Sequence, residues 1–276
     1  MRVGLFTDAF PEWSLEEVLE WLAARLPSVR DLELGTGGYS AAPHIEHVAG
    51  LGGDFRLAAL NVSGNPLEIA DHDRALRETI DLADRLGVER IVCMSGGRPE
   101  LSGGGWFPGV EAAAENYWAE RVIPYWCEIA QLTDVQLCFE LEPGSAAYNV
   151  STVERLLELA PNLAVNLDPS HFFWQSIDPL AAIRRLAGRI GYAHAKDTVL
   201  VREQVIVDGL LDRTTWRYAT VGHGRGVKWW RMFVDELQRA GYDGVLSIEY
   251  EDPIVDAEDS VVEAAGLLAG ALAERV

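Results

Sequence analysis

The sequence predicts an α/β protein with one (β/α)8 TIM barrel as a single domain over residues 1–276. Three observations predict it. Eight short apolar runs recur along the chain, with longer amphipathic stretches between them. The runs are β-branched or Leu-rich with little alternation, as strands buried on both faces of a parallel sheet are. The signatures of nucleotide-binding open sheets are missing: no GxGxxG follows the first run, and no GxxxxGK(S/T) occurs in the chain. A doubly wound open sheet is the alternative that these absences disfavour.

The predicted strands are Val3–Phe6, Asp31–Gly35, Leu57–Ser63, Arg90–Ser95, Val135–Glu142, Leu163–Asp168, Ile190–Ala195 and Val245–Tyr250. Ser14 and Glu17 have the spacing of a capping box and open a helix that runs to about Leu26. Asp71–Leu86 is amphipathic and stops at Gly87, a C-terminal signal. Glu111–Leu132 is one long helix. Ser151 begins the next (STVERLLELA), and Asp178 with Pro179 caps the one after (PLAAIRRLAG). Lys228–Ala240 ends at Gly241, and Asp259–Glu274 closes the chain. Right-handed crossovers repeated eight times can close such a sheet on itself.

Two connections are long: Gly96–Gly109 after the fourth run and Asp197–Val227 after the seventh. Both leave the C-terminal ends of strands, where barrels build active sites, and long loops inside compact domains tend to be functional.

The 276 residues suit one large domain, and 49% hydrophobic content is enough for a sizeable core. A formal net charge of −20 repels nucleic acid phosphates and anionic membranes, so neither is an expected partner. Cys93, Cys127 and Cys138 are odd in number and form no CxxC pair, and Cys93 and Cys138 sit inside apolar runs, which suits buried free thiols in a reducing compartment. The apolar run before Asp8 is too short for a signal peptide, and no stretch approaches membrane-span length. A cytoplasmic location is the expectation.

The chemistry lies at the strand ends, where alternate residues face the barrel interior. The fifth run offers Glu140 and Glu142, and the sixth Asp168, then Ser170 and His171. The seventh offers Tyr192, His194 and Lys196 on one face, and the eighth Glu249 and Glu251. Packing does not call for ionisable residues at the ends of four successive apolar strands. Burying carboxylates without a partner costs several kcal/mol or shifts their pKa. One divalent metal would resolve this. Three carboxylates and an imidazole make a mostly oxygen donor set that suits Mn²⁺ first, with Mg²⁺, Co²⁺ or Zn²⁺ as the other candidates. The alternative is a buried charge network held by Lys196 and arginines.

The segments CFELEPG, NLDPSHFFWQSIDP, GYAHAKDT, TVGHGRG and GYDGVLSIEYEDP resemble the xylose isomerase-like barrels, a group of sugar phosphate isomerases and epimerases whose relatives include ketose 3-epimerases and inosose dehydratase. The resemblance covers nearly the whole chain and is most specific from Val135 to Pro253. It implies Glu140, Asp168, His194 and Glu249 as the metal ligands, with Glu140 and Glu249 also the catalytic acid/base pair. It implies His171 as a contact for substrate hydroxyls, and a homo-oligomer, since relatives often form dimers or tetramers. One departure stands out. Relatives often read Glu-x-His-Pro after the fifth strand, and here the third position is Glu142, on the same face as Glu140.

Further candidates for the substrate, a small sugar, are Asn61 with Ser63, Lys196 as a stabiliser of developing negative charge, and His223 in the long seventh-strand loop, placed to close over the substrate. His44, His47 and His72 are expected at the surface. Phe6, Trp13, Trp106, Phe172 and Trp174 are either apolar walls for a sugar face or core. The reaction implied is proton abstraction beside a carbonyl through an enediolate, giving an isomerase or epimerase. A metal-dependent lyase or dehydratase is the alternative, since the same base creates a carbanion able to expel a β-substituent. A nuclease would need more histidines and a basic face. A degenerate sugar-binding barrel would not need a full ligand set.

Overall fold

A computed structural model describes residues 1–40, 54–98, 111–210, 212 and 214–273. The strands, in chain order, are β1 (Arg2–Phe6), β2 (Asp31–Gly38), β3 (Arg56–Ser63), β4 (Arg90–Met94), β5 (Gln136–Glu140), β6 (Leu163–Leu167), β7 (Ile190–Ala195), β8 (Asp197–Leu200), β9 (Trp216–Ala219) and β10 (Val245–Ile248). Eight of them close in the order β1-β10-β7-β6-β5-β4-β3-β2, all parallel, while β8 and β9 form a separate antiparallel pair. The (β/α)8 barrel is thus present, with no free sheet edge in its ring.

The helices follow local chemistry. α1 (Leu15–Arg25) starts at a complete capping box, Ser14 accepting from the Glu17 amide and Glu17 reaching back. α2 (Ala70–Leu86) stops at Gly87, whose φ of 67° is the left-handed conformation that ends helices. The long helix expected over Glu111–Leu132 is interrupted: α3 (Glu111–Tyr117) passes through a π turn (Trp118–Val122) into α4 (Ile123–Ala130). Pro124 explains it. Its ring crowds the carbonyl four residues back and it has no N–H, so the chain widens and Ile123 N–H reaches Trp118 O instead. α5 (Val150–Leu157) is capped by Asn149 and Thr152, one residue ahead of the expected Ser151 start. α6 (Ser170–Phe173), α7 (Pro179–Arg185) with its Asp178 cap, α8 (Arg202–Asp208), α9 (Val227–Arg239) and α10 (Ala257–Ala273) complete the set. No helix among the described residues is long and apolar enough to cross a membrane.

The main core lies between the sheet and the outer helices, with Trp126, Trp230, Phe139 and Phe233 fully buried. Burying each such side chain contributes about 1.5–3 kcal/mol. Inside the ring, alternate strand residues stack in layers. The lower layer is small and apolar: Ala59, Val92, Cys138, Ala164, Val245, and the larger Tyr192. Two residues further along the same strands come Asn61, Glu140, Asn166, His194 and Ser247, and then Lys196 and Glu249. The barrel interior therefore turns from apolar to polar towards its C-terminal mouth.

Candidate active site

Glu140 ends β5, Asp168 follows β6, His194 lies in β7, and Glu249 follows β10, where its amide still bonds to Ala195 O at 3.2 Å. Each offers one ligand atom, and the four atoms lie within 4.8 Å of one another. This is the quartet expected to hold the metal. His194 faces it with Nδ1, which is 2.9 Å from Glu249 Oε2 and 3.6 Å from Glu140 Oε1.

Protein cations interleave the carboxylates. Lys196 Nζ lies 2.9 Å from Glu249 Oε2, 3.2 Å from Asp168 Oδ2 and 3.5 Å from Glu251 Oε1. His171 Nε2 lies 3.0 Å from Glu140 Oε1 and 3.2 Å from Asp168 Oδ2. Burial alone would lower the His171 pKa, but the Asp168 charge and the Glu140 contact push it up to about 9. Burial opposes ionisation of Glu140 and Glu249 too. His171 and His194 hold the Glu140 carboxyl well below its usual range, and the Lys196 charge does the same, less strongly, for Glu249. Glu142 and Glu251 go the other way, raised chiefly by burial.

The donor set fits a divalent cation. Three hard carboxylates and one imidazole converge, and Glu249 Oε2 is buried without an aligned hydrogen-bond donor although Lys196 Nζ and His194 Nδ1 each lie 2.9 Å away. Above the cluster lies a cavity of about 400 Å³ lined by Phe6, Asn61, Met94, Glu142, Tyr218 and Glu251 among others. A larger recess of about 570 Å³ sits at the opposite end of the barrel, around Asp31 and Arg56, away from the cluster.

His171, Glu142, Lys196, Asn61 and Ser63 all line the upper cavity. Asn61 does so with its amide engaged, donating to Glu33 Oε1 at 2.7 Å. His223 does not join them, which corrects the expectation that it closes over the substrate. Its Nε2 lies 2.9 Å from Glu263 of α10. Asp197 sets that direction. Its Oδ2 accepts the Gly222, Gly224 and Arg225 amides at 3.1, 3.1 and 2.8 Å, which folds the GHGRG turn back against β8. A Cβ on Gly224 would sit 2.2 Å from Thr198 O, so the glycine serves this close approach. Of the candidate aromatic walls, Phe6 lines the cavity. Trp13 packs on Phe10 and Trp21, Phe172 is core, and Trp174 stacks on Trp216. His72 accepts the Asn65 amide at 2.9 Å and meets Tyr39, while His44, His47, Trp106 and most of the Gly96–Gly109 connection lie outside the described residues.

Two residues of the site were missed in the sequence. Tyr218, on β9, places its hydroxyl 3.0 Å from His171 Nδ1 and its ring 4.7 Å from Lys196 Nζ. Its delivery depends on the antiparallel pairing of β8 with β9, two strands separated in sequence by residues 201–215. Glu33, in the middle of β2, is fully buried under His194. Its signal in the sequence is a carboxylate in mid-strand, between Leu32 and Leu34 and two residues after Asp31.

Comparison with known proteins agrees with this architecture. The uncharacterized protein YfiH of Bacillus subtilis (strain 168) is 31% identical across 95% of this chain and 96% of its own length. The fold is similar to that of the probable 3-DHS dehydratase AsbF from Bacillus anthracis (TM-score 0.69, 15% identity, covering 98% of this chain and 99% of that one). It is also similar to that of an L-ribulose 3-epimerase (TM-score 0.64, 18% identity, covering 99% and 96%). The family model described as xylose isomerase-like TIM barrel matches residues 46–270, and the chain belongs to that family.

Proposed function

We propose that this protein is a divalent-metal-dependent sugar isomerase or epimerase acting on a ketose or related polyol derivative. One observation carries this reading. Glu140 and Glu249 come from barrel strands separated by two others, yet each brings a carboxylate oxygen into one tight cluster. Two bases on different sides of a substrate are what inversion at a carbon beside a carbonyl needs. Mn²⁺ is the metal the mostly oxygen donor set favours. When bound, the cation supplies Lewis-acid stabilisation of the negative charge that develops on the substrate oxygens.

The chain's own groups do the rest. One glutamate removes the proton beside the carbonyl, leaving an enediolate, and the other returns a proton to the opposite face. Return to the neighbouring carbon instead gives the 1,2-isomer. Lys196 keeps Glu249 ionised between turnovers, and His171 orients Glu140 through the 3.0 Å contact. Asn61, Glu142 and Tyr218 line the cavity where sugar hydroxyls would lie. The fold neighbour named as an L-ribulose 3-epimerase supports this chemistry.

A metal-dependent dehydratase is the second reading, and Lys196 is the observation that favours it. An ammonium lining the cavity 2.9 Å from a candidate base can protonate a departing β-hydroxyl. The probable dehydratase among the fold neighbours is consistent with it. The test is to strip the protein with a chelator, reload it with Mn²⁺, and analyse products from a panel of neutral ketoses and cyclic polyol ketones. New isomers of unchanged mass support the first reading. Products lighter by one water move the assignment to the second. No turnover with any divalent metal contradicts both.

A further inference from the structure

Directly beneath the four-group cluster the barrel holds a carboxylate that makes no approach to the substrate cavity. Glu33, on β2, is fully buried. Its Oε1 accepts from Asn61 Nδ2 at 2.7 Å, its Oε2 accepts from Ser247 Oγ at 2.7 Å, and His194 Nε2 lies 3.0 and 3.1 Å from the two oxygens. Barrel interiors at this depth are ordinarily filled by branched apolar side chains, and a buried carboxylate is costly unless its lone pairs are met. Here three donors from three strands meet them.

The arrangement constrains the imidazole. The Glu33 oxygens act as acceptors towards Asn61 Nδ2 and Ser247 Oγ, so the ring nitrogen that faces both oxygens is placed to donate and carries the hydrogen. His194 must therefore hold its proton on Nε2. In the neutral ring Nδ1 then keeps its lone pair, and Nδ1 is the nitrogen that faces Glu249 Oε2 at 2.9 Å and Glu140 Oε1 at 3.6 Å. Asn166 Nδ2, 3.1 Å from Nδ1, is an amide donor suited to that lone pair. Swapping the tautomer would put two hydrogen-free atoms face to face at Glu33 and a hydrogen where the cation is to bind.

We infer that Glu33 is a positioning residue: it selects the Nε2–H tautomer of His194 and so reserves Nδ1 for the divalent cation. The inference rests on the metal reading of the cluster, though its test does not depend on turnover. A carboxylate behind a ligating histidine commonly governs metal affinity by about 10–100-fold. Asn61 and Ser247 each hold one oxygen of the carboxylate and so fix it facing His194.

Three measurements test it. In protein labelled with ¹⁵N-histidine and loaded with Zn²⁺ as a diamagnetic probe, two-bond ¹⁵N–¹H correlation should show His194 protonated on Nε2 and bare on Nδ1. A proton on Nδ1 would overturn the inference, and this reading needs no variant. Secondly, Glu33→Gln, which keeps the shape but places an amide N–H among three donors, should weaken Mn²⁺ binding about 10–100-fold by calorimetry and mix the His194 tautomers. Thirdly, Ser247→Ala, which removes one hydrogen bond to the same carboxylate without touching the imidazole, should keep Mn²⁺ affinity within about threefold. A folded Glu33→Gln protein with parental affinity and an unchanged tautomer, or an equal loss in Ser247→Ala, would show the network to be structural only. Failure of the parent protein to bind any divalent ion would count against the metal reading itself, a result distinct from these.

Discussion

Lys196 Nζ lies 2.9 Å from Glu249 Oε2, and the lysine side chain is only 2% exposed. The same ammonium is 3.2 Å from Asp168 Oδ2. Lys196 is the cation that these two buried carboxylates share within the protein. Removing one member of a buried pair costs about 3–5 kcal/mol, because the other is left uncompensated. Lys196→Met should therefore be strongly destabilised in the presence of a chelator and much less so in saturating Mn²⁺, where the cation takes over the compensation. Thermal unfolding of parent and variant in both conditions checks this. An equal deficit in the two would mean that Lys196 acts through packing alone.

Asp168 gives a second prediction. It has two tasks: it belongs to the ligand cluster, and its two oxygens accept from Ser170 N–H and Oγ–H, both at 2.8 Å, at the start of α6. Asp168→Ala should abolish stoichiometric metal binding while costing about 1–2 kcal/mol in lost local hydrogen bonds, a shift of a few degrees in Tm. Mn²⁺ at about 100 times its Kd should stabilise the parent by about 2.7 kcal/mol and leave the variant unchanged. Stoichiometric metal retained in the variant would remove Asp168 from the ligand set.

Glu142 bears on substrate charge. Lys196 makes no ion pair with it, and among the described residues no hydrogen bond or ion pair reaches its carboxylate, which lines the cavity outside the ligand quartet. A further negative charge in a partly desolvated site repels anions strongly. The protein should therefore favour neutral sugars over sugar phosphates, and Glu142→His should narrow that gap without disturbing metal binding. The comparison is kcat/KM for a neutral ketose and its phosphate in parent and variant. A parent that already prefers the phosphate would refute it.

At the other end of the barrel, Asp31 accepts from Arg56 Nε and Nη2 at 2.9 and 2.7 Å and from Arg2 Nε at 3.0 Å. Burial opposes its ionisation, and the two arginines overcome this and lower its pKa. A carboxyl whose folded pKa is depressed adds stability that is present above its unfolded pKa of about 3.9 and lost as pH falls through the folded value. The arginines are about half exposed, so screening limits the contribution to roughly 1–2 kcal/mol. Asp31→Asn should be less stable than the parent by that amount at pH 7, with the difference holding down to about pH 5 and shrinking as pH falls below about 3.9 and through the folded value. A pH-independent difference would assign the loss to packing instead.

Much of this was legible in the sequence because a parallel barrel strand is encoded locally. Each apolar run named a strand, and a two-residue period then placed Tyr192, His194 and Lys196, or Glu140 and Glu142, on one inner face. Capping chemistry at Ser14, Gly87 and Asp178 fixed helix ends for the same reason. What was not legible depends on contacts between distant segments. Tyr218 reaches His171 only because β9 pairs with β8 across residues 201–215, a pairing that no local sequence period encodes. The GHGRG turn looked like a substrate loop, but the buried Asp197 carboxylate, which faces away from the cavity, draws its amides inward and turns His223 towards α10. Glu33 sits in mid-strand, where an acidic residue is unusual, and its role shows only once His194 from the far side of the sequence is beside it.

The central claim, that Glu140 and Glu249 carry protons to and from a carbon beside a carbonyl, is tested most directly by proton NMR in D₂O. The Mn²⁺-loaded protein is incubated with a panel of neutral ketoses, the metal is removed, and solvent deuterium is located in the recovered sugars. The account predicts deuterium at the carbon that epimerises or isomerises. It also predicts that Glu140→Gln and Glu249→Gln, with metal bound, exchange about 10²–10⁴-fold more slowly. Product formation without any deuterium from solvent, or a metal-replete Gln variant that exchanges at the parental rate, would contradict it.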